Sequence, residues 1–187
     1  MSLGPAKWAG HNGGMLITPY GLRQASALAL FAAAPWGALS AGKEPPPCEA
    51  LTKPSILVQV NAARAQGALC GSRGGMTPSG ALSWNDALQV VALRQALWMA
   101  DFGMLVHAGR DGETLSQRTL AAGYPFARIG ENLAHGQANL AQALDGWTAS
   151  PGHCVNLYDS GVTAMALACV PGRDGRAFWV LILGRPL

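Results

Sequence analysis

The period of the hydrophobic positions changes twice along this chain, and the changes divide it. Residues 21–41 (GLRQASALALFAAAPWGALSA) are apolar with no period, and the proline-rich joint KEPPP follows at 43–47. Beyond it, Ile56, Leu57, Val60 and Ala63 recur at helical spacing, with Pro54 suited to a first turn, which predicts a helix over 54–66, closed by Cys70-Gly71. After a loop rich in Gly, Ser and Pro, the residues Leu88, Val91, Ala92, Gln95 and Met99 share one face of a second predicted helix, Asp86 to Phe102. Thr114 with Gln117 has the form of a capping box and opens a short helix that stops at Gly123. Asn139 with Gln142 repeats the device for a helix with Leu140, Ala143, Leu144 and Trp147 inward, ending at Ser150-Pro151-Gly152. Then the period shortens. Residues 162–170 alternate loosely, 171–176 (PGRDGR) are dense in turn formers, and 177–183 (AFWVLIL) form a buried-strand run, which together predict a hairpin. Helices first and a strand pair last, with no βαβ rhythm, predict an α+β domain with helices packed on a largely antiparallel sheet.

Composition sharpens the division. Of 187 residues half are hydrophobic and 12% charged, too apolar and too sparsely charged for a disordered chain. The formal charge of +3 loses most of its meaning once Lys7 and Arg23, which precede the apolar run, are set aside, because eleven Lys and Arg then face ten Asp and Glu. A nucleic-acid partner is therefore not expected. Residues 1–41 read as a secretory leader, with a basic start, an apolar stretch broken by Pro35 and a small-residue end that suits cleavage near Ser40 or Ala41. The stretch is short for a membrane span, which wants roughly 20 apolar residues, so no transmembrane segment is expected in the mature chain; an uncleaved anchor is the alternative. A start at Met15 would give a leader of ordinary length. Residues 42–52 then form a linker and 53–187 the domain.

The cysteines, Cys48, Cys70, Cys154 and Cys169, all follow the leader, and none belongs to a CxxC pair. In an exported chain that favours two disulfides over a metal site, with three connectivities open. Trp84, Trp147 and Trp179 fall on inward faces and are expected in the core.

Four patterns stand in order: Asn61-Ala62-Ala63-Arg64, His107 in VHAGRDG, Gly130-Glu131-Asn132-Leu133-Ala134, and Trp147 to His153 (WTASPGH). With Leu82-Ser83-Trp84, Arg118 to Tyr124 (RTLAAGY) and Cys154-Val155-Asn156-Leu157, they resemble the bacterial branch of the CAP superfamily of cysteine-rich secretory, antigen 5 and pathogenesis-related proteins. The resemblance runs from about Lys53 to Gly184. It implies a three-layer αβα sandwich around a central cleft, where two histidines and two acids commonly gather and can hold a divalent metal such as Zn²⁺ or Mg²⁺. His107, Glu131 and His153 match three of the four positions, and Ser150 stands where many members carry the second glutamate. Two imidazoles and a carboxylate could leave an open position for water on zinc, but the missing acid removes the obvious general base. The alternative is a hydrogen-bonded cluster that fixes a Glu131 loop against the turn at Pro151-Gly152. A Ser150–His153 nucleophile lacks an orienting group and an oxyanion pocket. His135 is expected as an exposed loop residue. Gln95 and Trp98 replace the polar pair that bacterial relatives often carry on the second helix, which suggests an apolar patch there. The resemblance also suggests pairing Cys70 with Cys154, which leaves Cys48 for Cys169.

These readings describe a periplasmic or secreted binding module whose His/Glu cleft takes a small ligand, lipid or cell-envelope component, with or without a divalent metal. A metal-dependent extracytoplasmic hydrolase and a disulfide-stabilised interaction scaffold are the alternatives. N-terminal sequencing of exported protein is expected to begin near Gly42; an intact Met1 or Met15 would refute cleavage.

Overall fold

Each long helix begins where a side chain can take over backbone N–H groups that the first turn leaves unpaired. In the computed structural model, which describes residues 47–49 and 51–187, α1 (Lys53–Gln66) opens on Thr52, which forms a capping box with Ser55. The expected leader and most of the expected linker lie outside the described residues. Helix α2 (Asp86–Phe102) starts where the Asn85 side chain accepts from the Leu88 N–H, and it stops at Gly103, whose φ of 66° is the left-handed conformation that favours glycine. The capping box foreseen at Thr114 and Gln117 opens α3 (Leu115–Ala121). At α4 (Leu140–Ala149) the device differs. Asn139 caps the Gln142 N–H, but the Gln142 side chain reaches one residue further out, to the Ala138 N–H at 2.9 Å. The turn expected at Ser150-Pro151-Gly152 does end α4, but Pro151 also starts a further helix, α5 (Pro151–Leu157), because its fixed φ suits a first turn as well as it ends a last one.

Strands β1 (Ala68–Leu69) and β2 (Gly75–Met76) make a small antiparallel pair. The main sheet contains β3 (Ser83–Trp84), β4 (Phe126–His135), β5 (Ala164–Pro171) and β6 (Ala177–Pro186) in the order β3-β5-β6-β4. The foreseen hairpin is β5–β6, with Pro171 opposite Ala177. Strand β4 runs antiparallel to β6 from the other side, and only the short β3–β5 pairing is parallel. The Glu131 segment, expected as a loop, is instead the middle of β4. Its Gly-Glu-Asn run carries no strand signature, but every residue from Arg128 to His135 pairs with β6.

Alternation on β6 builds the layers. Trp179, Leu181 and Leu183 face one core with α1, α4 and α5, while Phe178, Val180 and Ile182 face a second core with α2. On β5 the residues toward α2 are Ala164, Ala166 and Ala168, small side chains that let the helix lie close to the sheet. The result is a three-layer αβα sandwich. Trp147 and Trp179 are fully buried as foreseen, but Trp84 is only half-buried, because β3 is a sheet edge with no further strand beside it among the described residues. There its indole Nε1 donates to Gln89 Oε1.

Two polar residues of α1, half-buried Asn61 and buried Arg64, fasten the irregular chain between the helices. Asn61 exchanges hydrogen bonds with the Leu82 backbone, accepting from its N–H and donating to its C=O. Arg64, wholly buried, donates to the carbonyls of Gly80, Leu157 and Asp159. Burial disfavours its charge, and the Asp159 carboxylate partly offsets that cost. Cys48 is joined to Cys169 and Cys70 to Cys154, the pairing that the family resemblance suggested. These bridges close loops of 121 and 84 residues. Replacing Cys70 and Cys154 together by Ala is expected to lower the stability of the oxidised domain by about 2–5 kcal/mol, read from urea denaturation. A loss below about 0.5 kcal/mol would show that the Cys70–Cys154 bridge does not restrain the unfolded chain.

Candidate functional site

The site is assembled on the outer strand of the sheet. Alternation along β4 sends Ile129, Glu131 and Leu133 toward the α2 layer and Asn132 and Ala134 toward α4 and α5. A carboxylate among apolar neighbours must find partners. Glu131, 5% exposed, finds two: Oε1 lies 2.8 Å from His107 Nδ1 and Oε2 accepts from Arg118 Nη2 at 3.0 Å. Because an ionised carboxylate only accepts, His107 carries its proton on Nδ1 and keeps Nε2 for other partners. Arg118 Nη2 also donates to the His107 carbonyl at 2.9 Å, so one guanidinium positions both the glutamate and the backbone of the histidine bonded to it.

On the opposite face of β4, Asn132 is fully buried and donates from Nδ2 to the His153 carbonyl at 2.9 Å. Asn156 donates to Asn132 Oδ1 at 3.1 Å and closes the link between strand and helix. His153 thus stands in the first turn of α5, tied to β4 by Asn132 and followed by the disulfide-bonded Cys154. Ser150 is the junction of α4 and α5. Its carbonyl accepts from the Cys154 N–H at 2.8 Å, and among the described residues no hydrogen bond joins its side chain to His107, Glu131 or His153.

The two imidazoles are pushed in opposite directions. The hydrogen bond to Glu131 raises the pKa of His107 above the ordinary value of 6.5, burial and the Arg118 charge opposing it. Burial lowers that of His153, and the charge of His107 lowers it further. The His107 side chain is 63% exposed although its anchor is buried. The arrangement therefore offers solvent one imidazole that favours its proton and one that resists it.

A divalent cation fits this arrangement poorly. Both Glu131 oxygens are engaged, one by a guanidinium whose positive charge would repel the ion. Among the described residues no group of three or more His, Cys, Asp or Glu side chains is arranged to hold a metal. His135 corrects another expectation. It lies at the end of β4, stacked on Phe178 with ring centroids 4.1 Å apart, not in an exposed loop.

Reading the sequence for chemistry missed Arg118, Asn132 and Asn156 as parts of the site. Arg118 carried no signal within its own short helix: its burial, with that of Thr119, arises only where α3 packs on β4, and there a buried arginine requires an acid.

The sequence profile of the cysteine-rich secretory protein (CAP) family matches residues 57–183. No curated protein matches the chain. Among solved structures, the domain is similar to an outer surface protein from Borrelia burgdorferi, at 20% identity and a TM-score of 0.59, covering 73% of this chain and 97% of that one. It is also similar to an extracellular protein containing an SCP domain from Bacillus anthracis, at 23% identity and a TM-score of 0.59, covering 71% of this chain. A cysteine-rich secretory protein from Staphylococcus aureus gives 16% identity and a TM-score of 0.50 over 73% of this chain. This chain spans 40% of the length of each of the latter two. At these identities the likeness is one of fold.

Histidine ring-proton titration by NMR is expected to give His107 a pKa above the ordinary imidazole value of about 6.5 and His153 one below it. Glu131→Gln is expected to lower the His107 value; an unchanged His107 titration would refute the pairing. In stability the raised pKa means that the His107 contribution is complete below about 6.5 and is lost as pH rises through the folded value, whereas the cost of charging His153 appears as pH falls.

Proposed function

We propose that this chain, which belongs to the cysteine-rich secretory protein (CAP) family, is a non-catalytic extracytoplasmic binding module whose cleft receives an anionic or acceptor-rich small ligand on His107 and His153. The observation that carries the reading is the Glu131 carboxylate, buried with both oxygens committed. Each oxygen already accepts a hydrogen bond, and a buried carboxylate held between His107 and Arg118 is poorly placed for a substrate proton or a metal, so it serves to orient the histidine and hold the guanidinium. His107 then presents Nε2–H as a charged donor, of the kind that strengthens a bond to an anion. His153 Nε2 or Nδ1, neutral in the same pH range, complements it as an acceptor or weaker donor. Extracytoplasmic residence is supported by the two disulfides and by the fold shared with an extracellular SCP-domain protein. Among the described residues no helix is long and apolar enough to cross a membrane.

One observation favours a second reading. Environments that push two neighbouring imidazoles apart are those in which one serves as acid and the other as base, so a hydrolase working without a bound metal would use His107 to protonate a leaving group and His153 to activate water. Ser150, at the junction before α5, would then border the ligand without entering the reaction.

The test is a ring-proton NMR and calorimetric titration of oxidised protein with glycerol phosphate, N-acetylglucosamine and Zn²⁺. The expected result is saturable glycerol phosphate binding that perturbs His107 and His153, weakens as pH rises through the His107 pKa, and falls at least about tenfold in His107→Ala. Stoichiometric Zn²⁺ uptake lost in both His107→Ala and His153→Ala would overturn the metal-free cleft. Turnover of phosphoester, ester or glycan substrates lost in the same variants would replace the binding module by the hydrolase. Binding of no probe, with reduction unfolding the domain, would leave the scaffold role.

A further inference from the structure

Helix α2 is apolar on more sides than its place in the fold explains. Leu88, Val91, Ala92, Ala96 and Met99 bury its inner face on the sheet, and a helix with one buried face normally turns charged and polar residues to water. Helix α4, on the other side of the sandwich, exposes only small or polar residues, Ala141, Gln142, Asp145, Gly146 and Ala149. The outer face of α2 instead carries Val90, Leu93 and Leu97, and the apolar surface continues through Phe102 into Met104 and Leu105 of the following loop, each 42–57% exposed. These six are the majority of the ten large apolar side chains exposed among the described residues. Single exposed side chains mean little, but their concentration on one surface marks a place of contact.

Charge and shape together say what the contact is. From Val90 to Leu105 the only charged residues are Arg94 and Asp101, both exposed and seven positions apart, so about two turns separate them along one line of the helix. Neither has an ion-pair partner among the described residues. Opposite charges two turns apart on one face match the same face turned end for end. Beside the ridge of Leu93 and Leu97, between α2 and α3, lies a cavity of about 410 Å³ with Trp98 and Ala122 in its wall. A ridge next to a hollow suits a surface to its own copy, because in a two-fold contact each patch must supply both. The aromatic end of the surface is held in place: Trp98 packs on Phe102 with ring centroids 5.8 Å apart, and the Arg110 guanidinium lies 5.8 Å from the Phe102 ring. A lipid surface fits less well. Asp101 lies within the stripe, and Asp111 and Glu113 also line the hollow, so insertion would carry acids toward the hydrocarbon.

We propose that the outer face of α2 is the interface of a symmetric homodimer, in which two copies of the helix pack antiparallel about a two-fold axis that passes between Leu97 and Trp98. In that register Arg94 faces the partner's Asp101, Leu93 runs toward the partner's Phe102, and Val90 toward the partner's Leu105. The apolar stripe supplies the affinity, and the two ion pairs, weak in themselves, fix direction and register. Of the two positions that suggested an apolar patch in the sequence, Gln95 turns inward onto the Val106 and Ala108 carbonyls, and Trp98, half-buried, joins the outer face beside the axis.

Sedimentation velocity of the oxidised protein is expected to show a monomer–dimer equilibrium with a dissociation constant below about 50 μM. Leu97→Glu, at an exposed position, is expected to weaken it at least about tenfold while the His107 titration stays unchanged, which shows the fold intact. Arg94→Asp alone and Asp101→Arg alone place like charges opposite each other and are each expected to weaken the dimer about fivefold or more. The double variant, which exchanges the two charges, is expected to restore it, a rescue that loss of folding cannot produce. A protein that stays monomeric up to about 1 mM, or a dimer untouched by Leu97→Glu, would overturn the interface. Failure of the double variant to recover the wild-type constant would overturn the antiparallel register. Monomeric protein that co-sediments with phosphatidylglycerol vesicles, and loses this as Leu97→Glu, would give the stripe to lipid and overturn the dimer.

Discussion

A carboxylate buried in the middle of a strand is the constraint from which the site follows. Glu131 cannot remain charged among Ile129, Leu133 and the α2 core without compensation, and the chain compensates it twice, with Arg118 from α3 and His107 from the preceding loop. That requirement fixes where α3 docks and where the loop passes, because one Arg118 nitrogen must reach both the carboxylate and the His107 carbonyl. It also decides the chemistry on offer. The acid is consumed in orienting a histidine, so in the proposed function it is the imidazoles and not the carboxylate that would meet a ligand.

The scaffold serves this arrangement from both faces of one strand. Glu131 reaches the α2 side and Asn132 the α5 side, so a single dipeptide holds His107 through a side chain and His153 through its carbonyl. The Cys70–Cys154 bridge secures the residue after His153 from a third direction. Neither histidine is positioned by its own neighbours alone; each depends on β4 lying in register with β6, where Glu131 is opposite Ile182 and Asn132 opposite Leu181.

What could be read in the sequence, and what could not, divides along a physical line. The helices announced themselves through caps and spacing that act within a few residues: Thr114 and Asn139 stand where they were expected to stand, and apolar spacing alone marked α2. The β5–β6 hairpin was equally local. Strand β4 was not legible, because its side chains satisfy distant partners. Glu131 answers Arg118, Asn132 answers His153 and Asn156, and Gly130 interrupts the alternation that would have marked a strand. Helix α5 was hidden by Pro151, which reads as a stop and acts as a start. Of the site, His107, Glu131 and His153 came from ordered motifs, and the structure joins the first two directly. Arg118 stayed out of view because a charge on a short helix normally faces water, and only the packing of α3 on β4 turns it inward.

The order of strands has a consequence for how the molecule comes into being. Strand β6, the partner of both β4 and β5, comes last of the described strands in the sequence, after both of them. A chain emerging from its N-terminus can form helices early, but β4 has no neighbour until residues 177–186 have arrived. Glu131 must therefore wait with them, since its burial depends on the strand it has yet to meet. Assembly of this domain is thus a late, concerted event, governed by contacts of long sequence separation whose loop entropy is paid before they form. Until then the chain is threadable, and after it the sheet, the ion pair and the two histidines exist together.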